Sequence, residues 1–266
     1  MITIQNYVKA ESLEQAWQLN QKRSARVMGG MMWMRLSHRR VQTVIDLSGL
    51  GLDKIEETED EFRIGCMTTL RDLEQHAGLA EFTQGAMRES VRHIVGVQFR
   101  NLATVGGSIF GRYGFSDVLT LFLALDTSVE LYKGGIVPLQ EFARMKKDND
   151  ILVRIIVKKD ARRVVYLSQR NTKTDFPVLT CAVSAVSGQA VKAVIGARPK
   201  KAVVVEDEKG ILAGGITEES AREFGEYAAS VVSFGSNMRA SAQYRSMIAE
   251  VLVKRACLAL EGGISC

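Results

Sequence analysis

Two glycine pairs are the residues of this sequence best placed to do chemistry. Gly29-Gly30 follows the β-rich Ala25–Met28, and Gly106-Gly107 lies inside Ala103-Thr104-Val105-Gly106-Gly107-Ser108. Glycine lets successive backbone N–H groups turn into one concavity, and such a nest binds phosphate oxygens. It also removes the Cβ that would hold a ligand off. Thr104 and Ser108 add hydroxyls suited to a phosphate or a sugar. For either pair alone an ordinary tight turn is the simpler reading, yet two such loops suit a ligand that contains a pyrophosphate. Gly107 is expected to face the ligand and Gly106 to serve the turn, so alanine at Gly106 should be the milder change. Neither pair belongs to a common nucleotide fingerprint. No Gly-x-Gly-x-x-Gly opens a helix and no Gly-Lys-Ser/Thr ends a phosphate loop, which disfavours a Rossmann dehydrogenase and a P-loop ATPase.

Other chemistry has less support. Cys66, Cys181, Cys257 and Cys266 contain no Cys-x-x-Cys pair, and His38, His76 and His93 have no partner at ligand spacing. An iron–sulfur or zinc site built by this chain alone is therefore not expected, and no metal ligand is assigned. The 266 residues carry a net charge of +5, but the basic residues are scattered in pairs such as Lys146-Lys147 and Lys200-Lys201. That pattern fits a solvated surface better than a nucleic-acid face, and no nucleic-acid partner is expected. The longest apolar stretch, Val118 to Leu125, is too short to span a bilayer and no signal segment opens the chain; the expectation is a cytoplasmic protein with reduced thiols and no membrane partner.

The elements that must position the glycine loops can be read from periodicity. A strand from Met1 to Gln5, a helix opened by Ser12-Leu13-Glu14-Gln15 with Leu13, Ala16 and Trp17 on one face, and strands Ala25–Met28 and Val44–Leu47 make a small β/α unit ending near residue 55. A second unit has the strand Phe62–Gly65, a helix capped by Thr69, and a helix over Gly85–Ile94. It closes with an apolar helix Asp117–Leu125 and strands Val129–Tyr132 and Ile151–Val157. Between them Arg100–Ser108 is neither helical nor alternating. In a third unit Val164–Leu167, Val178–Val186 and Val191–Ile195 read as antiparallel strands, followed by helices over Glu218–Ala229 and Ala240–Leu260. The last helix carries Tyr244, Met247, Ile248, Val251, Leu252 and Ala259 at helical spacing, the pattern of an apolar face. The class is α+β.

Gln98-Phe99-Arg100-Asn101-Leu102-Ala103-Thr104-Val105-Gly106-Gly107-Ser108 resembles the Q-x-R-N-x-A-T-x-G-G-N segment of the FAD-binding (medium) subunits of molybdenum hydroxylases of the xanthine dehydrogenase and carbon monoxide dehydrogenase family. Ser116-Asp117 with Leu121–Asp126 is similar to that family's A-D-x-x-P-A-L-L-A-L-D, Met28-Gly29-Gly30 to its Ala-Gly-Gly loop, Asp175-Phe176 to its D-F, and Arg239–Arg245 to its R-x-S-A-x-Y-R. The matches run in order over nearly the whole chain.

The resemblance implies a two-subdomain FAD-binding fold of the PCMH type, as in vanillyl-alcohol oxidase-like flavoproteins. It would occupy residues 1–160, with subdomains of about 1–55 and 56–160. A C-terminal α+β domain of the carbon monoxide dehydrogenase flavoprotein type, with an antiparallel sheet and helices, would occupy 161–266. It implies that Val27, Met28, Gly29, Gly30, Met31, Met32 and Trp33, together with Ala103, Thr104, Gly106, Gly107 and Ser108, cradle the FAD pyrophosphate. Ile94 and Val95 would lie near the flavin ring, Gly111, Ser116 and Asp117 along the sugar–phosphate chain, and Leu152 against the ligand. The implied work is electron transfer from the iron–sulfur clusters of one partner subunit, fed by a molybdopterin subunit, through FAD to NAD or another acceptor. No catalytic residue is assigned, and the isolated chain is a candidate homodimer. The alternative is a degenerate member that has lost tight FAD binding and serves as a structural subunit. Two departures bear on it. After Gly-Gly the family has a small hydroxyl residue, an acidic residue and two leucines where this chain has Met31-Met32-Trp33-Met34, and the family's basic residue near the tyrosine-containing strand is replaced by Leu167 and Ser168.

Overall fold

The computed structural model describes residues 2–262, so Met1 of the first expected strand and Cys266 lie outside the described residues. The first unit is a three-stranded sheet of β1 (Thr3–Lys9), β2 (Ala25–Met28) and β3 (Arg40–Asp46), with β3 central and parallel to both neighbours. Helix α1 (Leu13–Asn20) crosses between β1 and β2. The Ser12 hydroxyl accepts from the Gln15 N–H, the Gln15 side chain takes the Glu11 N–H, and Ala16 is buried. Parallel strands place the loops after β2 and β3 at one edge of the sheet, where open parallel sheets bind ligands.

The second unit is a five-stranded antiparallel sheet. Its members are β4 (Ile55–Glu57), β5 (Glu61–Gly65), β6 (Thr127–Leu131), β7 (Gly135–Pro138) and β8 (Leu152–Lys158), in the order β4-β5-β8-β6-β7. Between β5 and β6 run six helices: α2 (Leu70–Gln75), α3 (Ala77–Phe82), α4 (Ala86–Arg92), α5 (Val97–Arg100), α6 (Val105–Gly111) and α7 (Asp117–Ala124); α8 (Leu139–Arg144) follows β7. Thr69 and Asp72 form a full capping box on α2. The segment Arg100–Ser108, which has no clear period, holds the end of one short helix and the start of another. Such single turns are too short for periodicity to show.

The third unit is a four-stranded antiparallel sheet of β9 (Arg163–Arg170), β10 (Pro177–Ala185), β11 (Lys192–Gly196) and β12 (Val203–Glu206), in chain order. Both faces are covered. Leu179, Cys181, Val183, Ala193 and Ile195 pack with α9 (Glu218–Val231) and α10 (Ala242–Gly262), while Val164, Tyr166, Ala182 and Val194 join the core that contains α7. Every residue of α7 is buried, as its unbroken apolar run requires.

The apolar stripe expected on α10 is corrected in part: Leu252 is buried and Ile248 and Ala259 pack against the core, but the rest of the face is turned. Tyr244, Met247 and Val251 are exposed, and the buried face is Arg245, Ala249, Leu252, Val253, Ala256, Cys257 and Leu260. The register follows from Arg245, whose guanidinium donates to the carbonyls of Val178 at 2.9 Å and of Gly235 and Ala240 at 2.7 Å each, and to Asn237 Oδ1 at 2.7 Å. An arginine with that many acceptors can be buried, and it turns α10 by one position. Among the described residues no helix is long and apolar enough to cross a membrane.

Candidate functional site

The three units meet around a cavity of about 610 Å³. All of the residues that the sequence points to, from Val27 to Trp33, Ile94 and Val95, Ala103, Thr104, Gly106, Gly107 and Ser108, Gly111, Ser116, Asp117 and Leu152, stand on its wall.

The two glycine loops touch. A Cβ on Gly30 would lie 1.7 Å from the Leu102 carbonyl oxygen, and one on Gly29 would lie 2.6 Å from Thr104 Oγ1. Neither position has room for a side chain, so the glycines let two backbones abut at the head of the cavity. The loops differ in what they offer. The N–H groups of Gly29, Gly30, Met31, Met32 and Trp33 meet no acceptor among the described residues, and Met31 has a left-handed φ of 57° that turns the chain there. A run of unpaired N–H groups on a cavity wall is a donor set for an anion. In the second loop the N–H groups are already accepted: Val105 by the Thr68 carbonyl, Gly106 by that of Cys66, Gly107 by Thr104 Oγ1 and Ser108 by the Thr104 carbonyl. The backbone nest expected at Gly106-Gly107 is thus the first turn of α6, and the free donors belong to the first loop. The residues present fit a pyrophosphate: two abutting loops that leave no room for a Cβ between them, and a run of N–H groups on the first that meet no acceptor.

Further along the wall, Val95 holds a φ of 52°, which a β-branched residue rarely adopts. Arg100 fixes it there. Its Nη1 donates to the Ile94 carbonyl at 3.2 Å, and its Nε and Nη2 donate to Glu74 at 2.8 and 3.4 Å. Burial raises the Glu74 carboxyl, but Arg100 and Arg71 outweigh it and hold the group below the ordinary carboxylate range.

Asp117, in the first turn of α7, is fully buried and accepts from the Tyr166 hydroxyl at 2.5 Å and from Arg170 Nη2. Burial pushes its carboxyl up to about 6 against the pull of Arg170. Tyr166 and Arg170 stand four apart on β9, so they share a face of the strand and reach the same carboxylate. Arg170 also lines the cavity, which supplies a cation where Leu167 and Ser168 leave none. Sequence reading missed it, although the period-2 spacing from Tyr166 was the available signal. It also missed the rings around Trp33. Trp33 has Phe115 and Phe176 at 5.3 Å, Tyr113 at 6.2 Å and Phe99 at 6.5 Å between centroids. Cys66, beside α6, has its thiol pushed up to about 12 by burial and is no nucleophile.

Comparison with known proteins places this architecture. Residues 2–159 match the family described as FAD binding domain in molybdopterin dehydrogenase, and residues 164–260 match the carbon monoxide dehydrogenase flavoprotein C-terminal domain. The chain belongs to this flavoprotein family. FAD is accordingly its cofactor, and it is the FAD-binding subunit type of molybdenum hydroxylase oxidoreductases. The chain is 25% identical over 255 residues to the uncharacterized protein YgfM of Escherichia coli (strain K12), covering 94% of each. It is 26% identical over 272 residues to the nicotine 6-hydroxylase medium subunit of Paenarthrobacter nicotinovorans, again covering 94% of each. Its fold is that of a chain of carbon monoxide dehydrogenase from Hydrogenophaga pseudoflava, with a TM-score of 0.84 at 23% identity over 96% of this chain and 97% of that one. A chain of quinoline 2-oxidoreductase from Pseudomonas putida 86 superposes with a TM-score of 0.83 at 18% identity, covering 97% of both. In the methionine-rich first loop Met31, Met32, Trp33 and Met34 all line the cavity, and Met32 also joins the core.

Proposed function

We propose that this chain is the electron-passing station of a multi-subunit molybdenum hydroxylase of the cytoplasm. It takes electrons from the iron–sulfur clusters of a partner subunit, which a molybdopterin subunit reduces, and delivers them to NAD or another acceptor. In this reading the subdomains of about 1–55 and 56–160 hold FAD between them, and 161–266 packs alongside. The observation that carries it is the contact of two glycine loops at the head of a cavity whose first loop has unpaired N–H groups. When bound there, FAD supplies two-electron chemistry that can be filled one electron at a time.

The chain's own residues bind, orient and tune. The N–H groups of Gly29 to Trp33 hold the pyrophosphate, with Thr104 presenting its hydroxyl beside them. Arg100 holds the Ile94–Val95 turn against the ring system, and the buried Asp117–Arg170 pair sets the charge along the cavity wall. No proton-transferring side chain is assigned. Among the described residues no group of His, Cys, Asp and Glu is arranged to hold a metal. The test is purification from native cells. Flavin absorbance that follows this chain, together with an iron–sulfur and a molybdenum protein in fixed ratio, is the expected result. Recovery of this chain alone with complete hydroxylase activity would overturn the relay.

A further inference from the structure

The ring cluster around Trp33 has no role in holding a pyrophosphate, yet it shares the cavity wall with the loops that do. Five rings come from four separate places. Trp33 leaves the first glycine loop, Phe99 lies on α5, Tyr113 and Phe115 on the turn between α6 and α7, and Phe176 just before β10. Trp33 touches all four others, so it is the hub where the three units meet over the cavity. Phe115 stacks on Tyr113 at 5.2 Å and meets Phe176 edge-on at 4.8 Å, so these three rings hold one another without Trp33. Trp33 is nonetheless more than a third exposed. A core tryptophan packed by four rings would be buried, so an indole face left open among fixed rings is a surface for another planar group.

We propose, resting on the FAD reading above, that Trp33 is a specificity-determining residue that stacks on the isoalloxazine ring of FAD and sets the chain's preference for a flavin over a plain adenine nucleotide. The chemistry favours the tricyclic ring over adenine. Trp33, Phe99, Phe115 and Phe176 present carbon surfaces, which suit the apolar dimethylbenzene edge of a flavin. Adenine exposes ring nitrogens and an amino group that need hydrogen-bonding partners. Trp33 is also the last of the first loop's residues whose N–H groups meet no acceptor, so a ligand whose pyrophosphate sits on that loop can bring its flavin end within reach of the indole. This assigns a task to one of the residues by which the first loop departs from the family pattern.

The test uses the full chain and three probes: FAD, FMN and ADP. Trp33→Leu should weaken FAD and FMN by about three- to tenfold, the worth of one aromatic pair, and leave ADP within a factor of two. Trp33→Phe should restore most of the loss, and it also guards against a leucine variant that folds poorly. Loss of ADP affinity with FMN unchanged would overturn the proposal by placing the indole on adenine. A rise in FAD affinity in Trp33→Leu would overturn it by showing that the indole obstructs the cavity. Unchanged affinity for all three would leave Trp33 a packing residue only. If the wild-type chain binds none of the probes, ADP included, the FAD reading itself falls, which is a different result from any of these.

Discussion

At Gly106 an added Cβ would lie 2.5 Å from the Cys66 carbonyl oxygen and 2.7 Å from Cys66 Cβ, whereas at Gly107 it would meet only Thr104 Oγ1, at 3.2 Å. Neighbours in sequence therefore have opposite constraints. Gly106 is where α6 presses on the strand end at Cys66, and Gly107 opens on the cavity. This corrects the expectation that Gly106 serves only the turn, so alanine there is not a mild change for the fold. Gly106→Ala should destabilise the protein without ligand by roughly 1–3 kcal/mol, as overpacking does. Gly107→Val should leave the melt nearly unchanged and lower FAD affinity at least about tenfold, because its methyls enter ligand space. Thermal melts without FAD, paired with FAD titrations, separate the two. Equal melts for both variants would mean that the loop yields at Gly106, and undiminished affinity in Gly107→Val would move the ligand off this loop. That Gly107 is the one turned to the open side was legible from sequence, but the packing of Gly106 was not, because it depends on a contact with a residue forty positions away.

At the scale of elements, α7 and β9 are joined through Asp117, Tyr166 and Arg170, and that junction titrates. Burial raises the Asp117 carboxyl from the ordinary 3.8 to about 6. Between those pH values the folded chain keeps a proton that the unfolded chain has lost, so this group's contribution to stability is present below pH 4 and is lost as pH rises through 6. The loss is roughly 3 kcal/mol at about 1.4 kcal/mol for each pH unit. Asparagine does not titrate. The stability of the wild type relative to Asp117→Asn, followed by denaturant unfolding from pH 4 to pH 6.5, should therefore fall across the window. A difference that stays flat from pH 4 to pH 6.5 would show instead that Arg170 keeps the carboxylate ionised at or below its ordinary value. Elements with strong local signals were readable in advance, as with the Ser12 and Thr69 caps and the strands from Val178 and Val191. Those that depend on tertiary partners were not. The buried face of α10 is set by a charged residue, Arg245, which periodicity counts as outward. The edge strands β4, β7 and β12 are three or four residues long, and they gain their pairing from neighbours rather than from their own composition.

For the whole molecule, the cavity wall draws on segments spread over most of the chain: the first loop, the turn at Ile94, α6 and the turn after it, the stretch before β8, and the turn from Arg170 to Pro177. The long α9–α10 layer lies behind the third sheet and contributes nothing to that wall. A ligand bound there is held by all three units, so its effect on local opening should be discontinuous in sequence and contiguous in space. In hydrogen exchange with FAD at about 100 times its dissociation constant, openings that expel the ligand should become about 2.7 kcal/mol more costly. At times short enough that only local opening contributes, amides near residues 29–34, 94–96, 111–117 and 171–176 should slow together by up to about 100-fold. Those of α9 and α10 should not change. Protection confined to residues before 160 would mean that the third unit takes no part in holding the ligand, and that Arg170 and Phe176 line the cavity without serving it. Protection that reaches α10 equally would indicate global stabilisation rather than a ligand lodged in this cavity.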